Sequence, residues 1–155
     1  QSEWRRERPD VDVQPQGIIG RVHRLAAWLT DELTVIYGRY GLGEGEFDVL
    51  AALRRAGHPF ERAPGELADH TMVTTGAMTK RIDRLVARGL VERREVEQDG
   101  RRRIVALTPA GRVLIDEAFM EHMASERRLV DELDADDQAA LEAILTRWLA
   151  AGPAR

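Results

Sequence analysis

With 155 residues, 43% of them apolar, the chain can fold as one domain around a substantial core. It has no cysteine, which excludes disulfides, thiolate metal sites and thiol-based redox sensing. No run approaches the ~18 uninterrupted apolar residues of a membrane span and no apolar leader opens the chain, so no membrane partner and a cytoplasmic location are expected.

The net charge of −4 is unevenly spread. Between Thr74 and Arg103 there are nine basic residues (Lys80, Arg81, Arg84, Arg88, Arg93, Arg94, Arg101, Arg102, Arg103) against five acidic ones. Between Asp116 and Glu142 ten acidic residues face two arginines. A basic segment in an acidic frame would hold a polyanion in one orientation and repel it elsewhere. Two solvated faces of ordinary composition are the bland alternative.

Residues 1–16 are polar and interrupted by Pro9 and Pro15, so no long helix is expected across them. Trp4 stands out there, because a large apolar ring is costly to leave wet and usually seeks a pocket. Arg5, Arg6 and Arg8 beside it form either a DNA-contacting arm or a solvated terminus.

From Gly17 onward Ile18, Val22, Leu25, Leu29, Leu33, Ile36 and Tyr40 recur every three or four residues, one apolar stripe of a long helix. Ile19, Ala26 and Tyr37 widen it beyond a coiled-coil seam. Residues 44–55 read as a second helix, with Phe47, Leu50, Ala51 and Leu53 as core and Asp48 bordering that face. The segment 57–63 reads as a loop, and Pro64 suits the first position of the next helix.

Residues 65–70 then form a short helix and 71–73 a turn. Thr74 is placed to cap the helix that follows. Spacing residues 76–89 at 100° intervals puts Met78, Ile82, Leu85 and Val86 on one side. Gly76, Lys80, Asp83, Arg84 and Ala87 face the other way. Small residues and cations on an exposed face can approach bases and phosphates, and the hydroxyls of Thr75 and Thr79 lie on its flank. Arg81 lies about 80° from the buried centre, aimed along the underside of the module.

The run VERREVEQDGRRRIVAL carries Asp99-Gly100 between β-favouring segments, a strong hairpin signal. Its tip presents Arg101, Arg102 and Arg103, suited to a minor groove where negative potential concentrates. Thr108 and Pro109 then open a long helix to about Leu133, with Val113, Leu114, Phe119, Met123, Leu129 and Val130 as apolar positions. Asp134 starts a last helix whose stripe is Leu141, Ile144, Leu145, Trp148 and Leu149. The terminal helices carry more apolar surface than one small head can cover, which argues for a dimer built from both chain ends.

The expected fold is therefore mainly α with a small β wing. A winged helix-turn-helix lobe occupies residues 42–108 of a single domain, flanked by helical dimerisation regions at 1–41 and 109–155. No enzyme is expected. His23, His58, His70 and His122 are scattered, without an H-x-x-x-H pair or a carboxylate partner at metal spacing, there is no phosphate-binding glycine loop, and no cofactor is called for. His23 and His122 fall on long helices, where a pocket or interface role and an ordinary core or surface role both remain open. A winged helix used as a protein-interaction module is the competing class; three consecutive arginines on the wing favour DNA.

Three segments carry a family resemblance: FDVLAALRRAG (47–57), PGELADHTMVTTGAMTKRIDRLVARGLVER (64–93) and DGRRRIVALTPAG (99–111). They resemble the MarR family of bacterial transcriptional regulators, over roughly residues 17–150. The resemblance implies an obligate homodimer with interlocked terminal helices and two reading heads on successive major grooves of a pseudo-palindromic operator. It implies that Asp99 steadies the wing tip and that Arg101 enters the minor groove. Thr74-Thr75 stands where the family often has serines, and Lys80 where asparagine is common, which bears on the operator sequence.

A narrower resemblance is to the urate-responsive branch, whose pocket residues match Trp4, Asp48, Arg81 and Arg93. A planar anionic purine suits an aromatic face, two guanidinium forks and a carboxylate that pairs with them until ligand arrives. The expectation is a repressor released from DNA by a small anionic aromatic effector, urate or a related purine. A phenolic or other organic acid, or no ligand, is the alternative.

Overall fold

The computed structural model describes residues 1–71, 74–96 and 102–152, and for Thr75, Val96 and Arg102 the backbone alone. A small α/β head sits between long helices from the two ends of the chain. The head contains α3 (Glu44–Arg55), β1 (Glu61–Arg62), α4 (Pro64–Thr71), α5 (Thr75–Ala87), β2 (Val91–Val96) and β3 (Arg102–Leu107). It is preceded by α1 (Ser2–Glu7) and α2 (Gln14–Arg39), and followed by α6 (Pro109–Val130) and α7 (Ala135–Ala150). The fold is mainly helical with one small sheet, as expected.

The core of the head is assembled from faces that the periodicity anticipated. Phe47, Leu50 and Leu53 of α3 meet Leu67 of α4, Met78, Ile82 and Leu85 of α5, and Val91 and Val105 of the hairpin, all buried. Side chains of this size contribute about 1.5–3 kcal/mol each when fully buried, so this cluster dominates the head's stability. The helix from Glu44 to Arg55 has the bounds its sequence implied.

Segment 57–63 is not simply a loop. Phe60, at φ 62°, redirects the chain, and its carbonyl accepts from the Leu107 N–H at 3.0 Å. Glu61 and Arg62 then pair antiparallel with Ala106 and Val105, giving a three-stranded sheet of order β1-β3-β2. Two charged residues carry no strand periodicity; the pairing comes from the edge that β3 offers. On the other side β2 pairs antiparallel with β3 from Val91↔Leu107 to Val96↔Arg102, as the two β-favouring runs implied; the turn expected at 99–100 lies outside the described residues.

The long helices differ from expectation in detail. The N-terminal helix begins at Gln14 rather than Gly17, with Pro15 in its first turn, where a missing N–H costs nothing. Its apolar stripe reaches the head only at its lower end: Ile36 and Tyr37 are buried, while Ile18, Ile19, Val22, Leu25 and Trp28 are exposed. In α6 Ile115 and Ala118 are buried in the head's core and the expected Leu114 packs against it, whereas the expected Val113, Phe119, Met123 and Val130 are exposed. That helix stops at Val130, short of Leu133. The last helix is capped by Asp134, whose side chain accepts from the Asp137 N–H at 2.8 Å, yet it buries no residue. Among the described residues no helix is long and apolar enough to cross a membrane.

Candidate nucleic-acid interface and effector site

The helix α5 follows the short α4 and presents one face outward. Thr74 caps it: its Oγ1 accepts from the Ala77 N–H at 3.3 Å, with φ −68° and ψ 151° before the helical residues begin. Met78, Ile82 and Leu85 point into the core, and Gly76, Thr79, Lys80, Asp83, Arg84 and Ala87 are exposed. Thr71, expected in the turn, closes α4, and the rest of that turn, residues 72–73, lies outside the described residues; on β3 Arg103 is also exposed. Asp99 and Arg101 lie outside the described residues, as do the side chains of Thr75 and Arg102.

A second face of α5 looks toward the joint between α2 and α3. Arg88 donates from Nη1 to the Gly41 carbonyl at 2.7 Å and from Nη2 to the Tyr40 carbonyl at 3.0 Å. Arg84, read from sequence as DNA-facing, donates from Nε to Oε1 of Glu46. The other Glu46 oxygen, Oε2, accepts from the Gly43 N–H at 3.0 Å, so both carboxylate oxygens are used. Burial alone would raise the Glu46 carboxyl; the Gly43 N–H and the Arg84 guanidinium outweigh it and hold the group below its ordinary value. The Glu46 side chain is only 10% exposed but Arg84 is 59% exposed, so solvent screens the pair from one side and its loss costs less than that of a fully buried pair.

Arg81 completes this face. Its guanidinium lies so close to the backbone of α3 that a Cβ on Gly45 would stand 2.1–2.5 Å from it. Nη1 of Arg81 is, among the described residues, the buried side-chain nitrogen or oxygen left without a hydrogen-bond partner. Such a group is costly unless something arrives to satisfy it.

Asp48 lies one helical turn along α3 from Glu44, in the same neighbourhood. Burial raises its carboxyl first and Glu44 second, while Arg81, Arg55 and His122 pull it back. Beside Asp48 lies a buried aromatic group that belongs to the core. Tyr37 stacks on Phe47 at 4.3 Å between ring centres, and His122 lies 4.9 Å from Phe47 and 5.9 Å from Phe119. The Tyr37 hydroxyl is 3.2 Å from His122 Nδ1, and His122 Nε2 is 3.2 Å from Glu126 Oε1. His122 therefore joins α2, α3 and α6 around this site.

Of the four residues expected to form an effector pocket, Arg81 acts on the Asp48 carboxyl through its charge, with burial and Glu44 outweighing it. Arg93 is bonded instead to Asp83 of α5, Nη2 to Oδ1 at 2.6 Å. Trp4 is 53% exposed and lines a separate crevice of about 350 Å³ with Arg8, Val11, Asp12, Val13 and Gln16. Sequence reasoning left the role of His122 open and did not single out Glu46. His122 had one local signal, Glu126 four residues on in the same helix, but its aromatic partners lie on α2 and α3 and leave none. Glu46 had one available signal: an acidic residue at the third position of a helix, where it can reach back to the capping N–H. Further along the same face of α3, a cleft of about 410 Å³ is lined by Ala51, Arg54, Arg55, Ile115, Asp116 and Phe119, with Arg54 held by Asp116 at 2.7 Å. Among the described residues no cluster of His, Asp or Glu could hold a metal ion.

Comparison with known proteins decides the family. The chain is 34% identical over 145 residues to the HTH-type transcriptional regulator PecS of Dickeya dadantii (strain 3937), covering 94% of this chain and 87% of that protein. It is 33% identical over 105 residues to the multiple antibiotic resistance protein MarR of Salmonella typhimurium, covering 67% and 71%. The chain belongs to the MarR family. A sequence profile described as MarR family matches residues 40–102, from the α2–α3 joint through the hairpin. Among solved structures, the chain is similar to a variant of E. coli MarR complexed with operator DNA, with a TM-score of 0.76, 29% identity, and 90% and 99% of the two chains covered. The fold is also that of AbsC, a MarR family regulator from Streptomyces coelicolor, with a TM-score of 0.80 at 24% identity over 90% and 95% of the chains. MarR-family proteins are DNA-binding transcription regulators, not enzymes, and that is the role of this chain.

Proposed function

We propose that this MarR-family regulator is a cytoplasmic homodimeric repressor released from its operator by a small anionic aromatic effector, urate or a related purine. Residues 42–108 form the DNA-binding lobe, and residues 1–41 and 109–155 the dimerisation region. The outer face of α5 with Thr74, Thr75, Gly76, Thr79 and Lys80 enters the major groove, and Arg101, Arg102 and Arg103 of the wing reach the backbone and minor groove, steadied by Asp99. Two heads then engage half-sites about one helical turn apart.

The observation that carries the effector reading is the unsatisfied, buried Nη1 of Arg81 next to a half-buried Asp48. A planar anion would supply the missing acceptor, and the stacked Tyr37, Phe47 and His122 rings would back it from the core. Arg93 would exchange Asp83 for the ligand, and Trp4 would close over it from the N-terminal segment. Urate should raise the melting temperature of the wild-type protein by mass action, and Arg81→Ala and Trp4→Ala should lose the shift. A shift lost in Arg81→Ala but kept in Trp4→Ala would remove Trp4 from the pocket.

A phenolic or other organic acid is the second reading, favoured by the cleft where Arg55 and Phe119 stand beside an apolar floor. A shift with salicylate and none with urate selects it. The DNA reading is tested by band shift on the chain's own promoter region: a salt-sensitive complex is expected, and its absence refutes operator binding there.

A further inference from the structure

Three arginines of the recognition helix, at positions 81, 84 and 88, fall within about 60° of one another on a helix that turns 100° per residue. All three reach the same short segment, Tyr40 to Glu46, which joins the long α2 to the head. This stripe is distinct from the outer face that carries Gly76, Lys80 and Asp83. Arg84 sits at the boundary between the two, and its exposed guanidinium has two possible claimants, a DNA phosphate or Glu46.

We propose that Arg84 is a positioning residue rather than a DNA contact, and that Glu46 and Arg84 form the latch that sets the recognition helix against the end of α2. The proposal rests on the reading of α5 as the helix that enters the major groove. Glu46 is nearly buried and both its oxygens are committed, one to the Gly43 N–H and one to Arg84. A phosphate that drew the whole guanidinium away would strand that carboxylate, whereas Lys80 is exposed on the outer face and leaves no carboxylate behind; the Nη groups of Arg84 are not held by Glu46, so the salt slope decides between the two roles. The Arg88 bonds to the Tyr40 and Gly41 carbonyls hold the C-terminal end of α5 to the same joint. The helix is thus fastened at two points four residues apart, which constrains its angle and not only its distance.

A phosphate contact and a latch give different salt behaviour. Each lysine or arginine on a phosphate contributes roughly one unit to the slope of log affinity against log salt. Operator affinity of the full chain would be measured from low to moderate salt for the wild type, Arg84→Gln, Arg84→Lys, Glu46→Gln and the double variant Glu46→Gln/Arg84→Gln. A latch predicts that Arg84→Gln and Glu46→Gln each weaken binding about tenfold with the slope unchanged. The double variant then binds about as well as either single one, not about a hundredfold worse. Arg84→Lys, which keeps the charge but loses the Nε donor, weakens binding nearly as much as Arg84→Gln. A slope lower by about one in Arg84→Gln, with affinity retained in Arg84→Lys and in Glu46→Gln, would overturn the proposal and place Arg84 on a phosphate. Urea unfolding of the same four variants, without DNA, reads the Glu46–Arg84 coupling separately. Coupling there with no operator complex even for the wild type would refute the DNA-binding reading while leaving the tie intact, and would overturn its positioning role.

Discussion

A Cβ placed on Gly111 would stand 1.9 Å from the carbonyl oxygen of Leu90. The first turn of α6 is pressed directly onto the chain that leaves α5, with no room for a side chain between them. Thr108 fastens the same corner: its Oγ1 accepts from the Gly111 N–H at 3.0 Å and is 2.7 Å from the Gly89 carbonyl, to which it donates. Because the obstacle is backbone, Gly111→Ala cannot be relieved by a rotamer change. It should destabilise the fold by about 1–3 kcal/mol, the usual cost of overpacking. Thr108→Ala should cost about 1 kcal/mol through the lost cap. Urea midpoints measure both, and a neutral Gly111→Ala would show that α6 can slide away from the hairpin.

Glu46 and Asp48, two residues apart on α3, are shifted in opposite directions, so they tie stability to pH with opposite signs. Glu46 has a lowered pKa. Its contribution is present above the ordinary value of 4.5 and is lost as pH falls through the folded value. Asp48 has a raised pKa. Its contribution is present below the ordinary 3.8 and is lost as pH rises through the folded value, so at neutral pH the ionised group opposes folding. Asp48→Asn should therefore be at least as stable as the wild type at pH 7, with any advantage vanishing toward pH 3. Glu46→Gln should be less stable at pH 7, its deficit shrinking in acid. Paired urea melts at pH 3, 5 and 7 check both; an Asp48→Asn protein clearly weaker at pH 7 would mean that attraction to Arg81 exceeds the cost of burial.

The Tyr37 hydroxyl is pushed up to about 12 by burial first and then by Asp48, Glu44 and Glu126. Stability linked to this phenol is present below about pH 10 and lost as pH climbs toward 12. An ultraviolet titration of the folded protein should show Tyr37 ionising with unfolding rather than ahead of it. Tyr37→Phe removes the hydrogen bond to His122 and should cost about 0.5–1.5 kcal/mol, read as a lowered melting temperature. A phenol that titrates fully near pH 10 in the native state would contradict the burial.

The apolar side chains of α7 make the oligomeric state testable. Ile144, Leu145, Trp148 and Leu149 are exposed on the single chain, as are Ile18, Val22, Leu25 and Trp28 of α2. A dimer that covers them would make the melting temperature rise with protein concentration. Leu145→Glu with Trp148→Glu should give a monomer by sedimentation, abolish the concentration dependence, and remove operator binding. A wild type that stays monomeric at micromolar concentration would exclude the dimer.

Much of the head was legible because its signals are local. Thr74, Thr108 and Asp134 cap helices as their residue types imply, and Met78, Ile82 and Leu85 are buried as their spacing implies. What escaped the sequence depends on partners far along the chain. The strand Glu61–Arg62 forms only because β3 offers an edge. Ile115 and Ala118, rather than the larger Phe119 and Met123, face the head, because the size of a side chain does not say which of two apolar surfaces it meets. In the candidate effector site, Arg81 acts on Asp48 from the facing helix by charge, and its Nη1 has no hydrogen-bond partner. His122 reaches the site from α6, 74 residues along from Asp48. Arg93 was matched by position alone, and a nearby carboxylate, Asp83, holds it within the head.

The bare flank of α7 has a consequence for the protein's life in a cell. If that flank is covered by a second copy, a newly made chain is incomplete until it meets its twin, and a lone chain stays open to proteases. Abundance then acts on survival: below a threshold, chains are removed faster than they pair, and above it the pool sustains itself. Supply of the regulator becomes a switch in its own right, acting before any operator or effector is engaged.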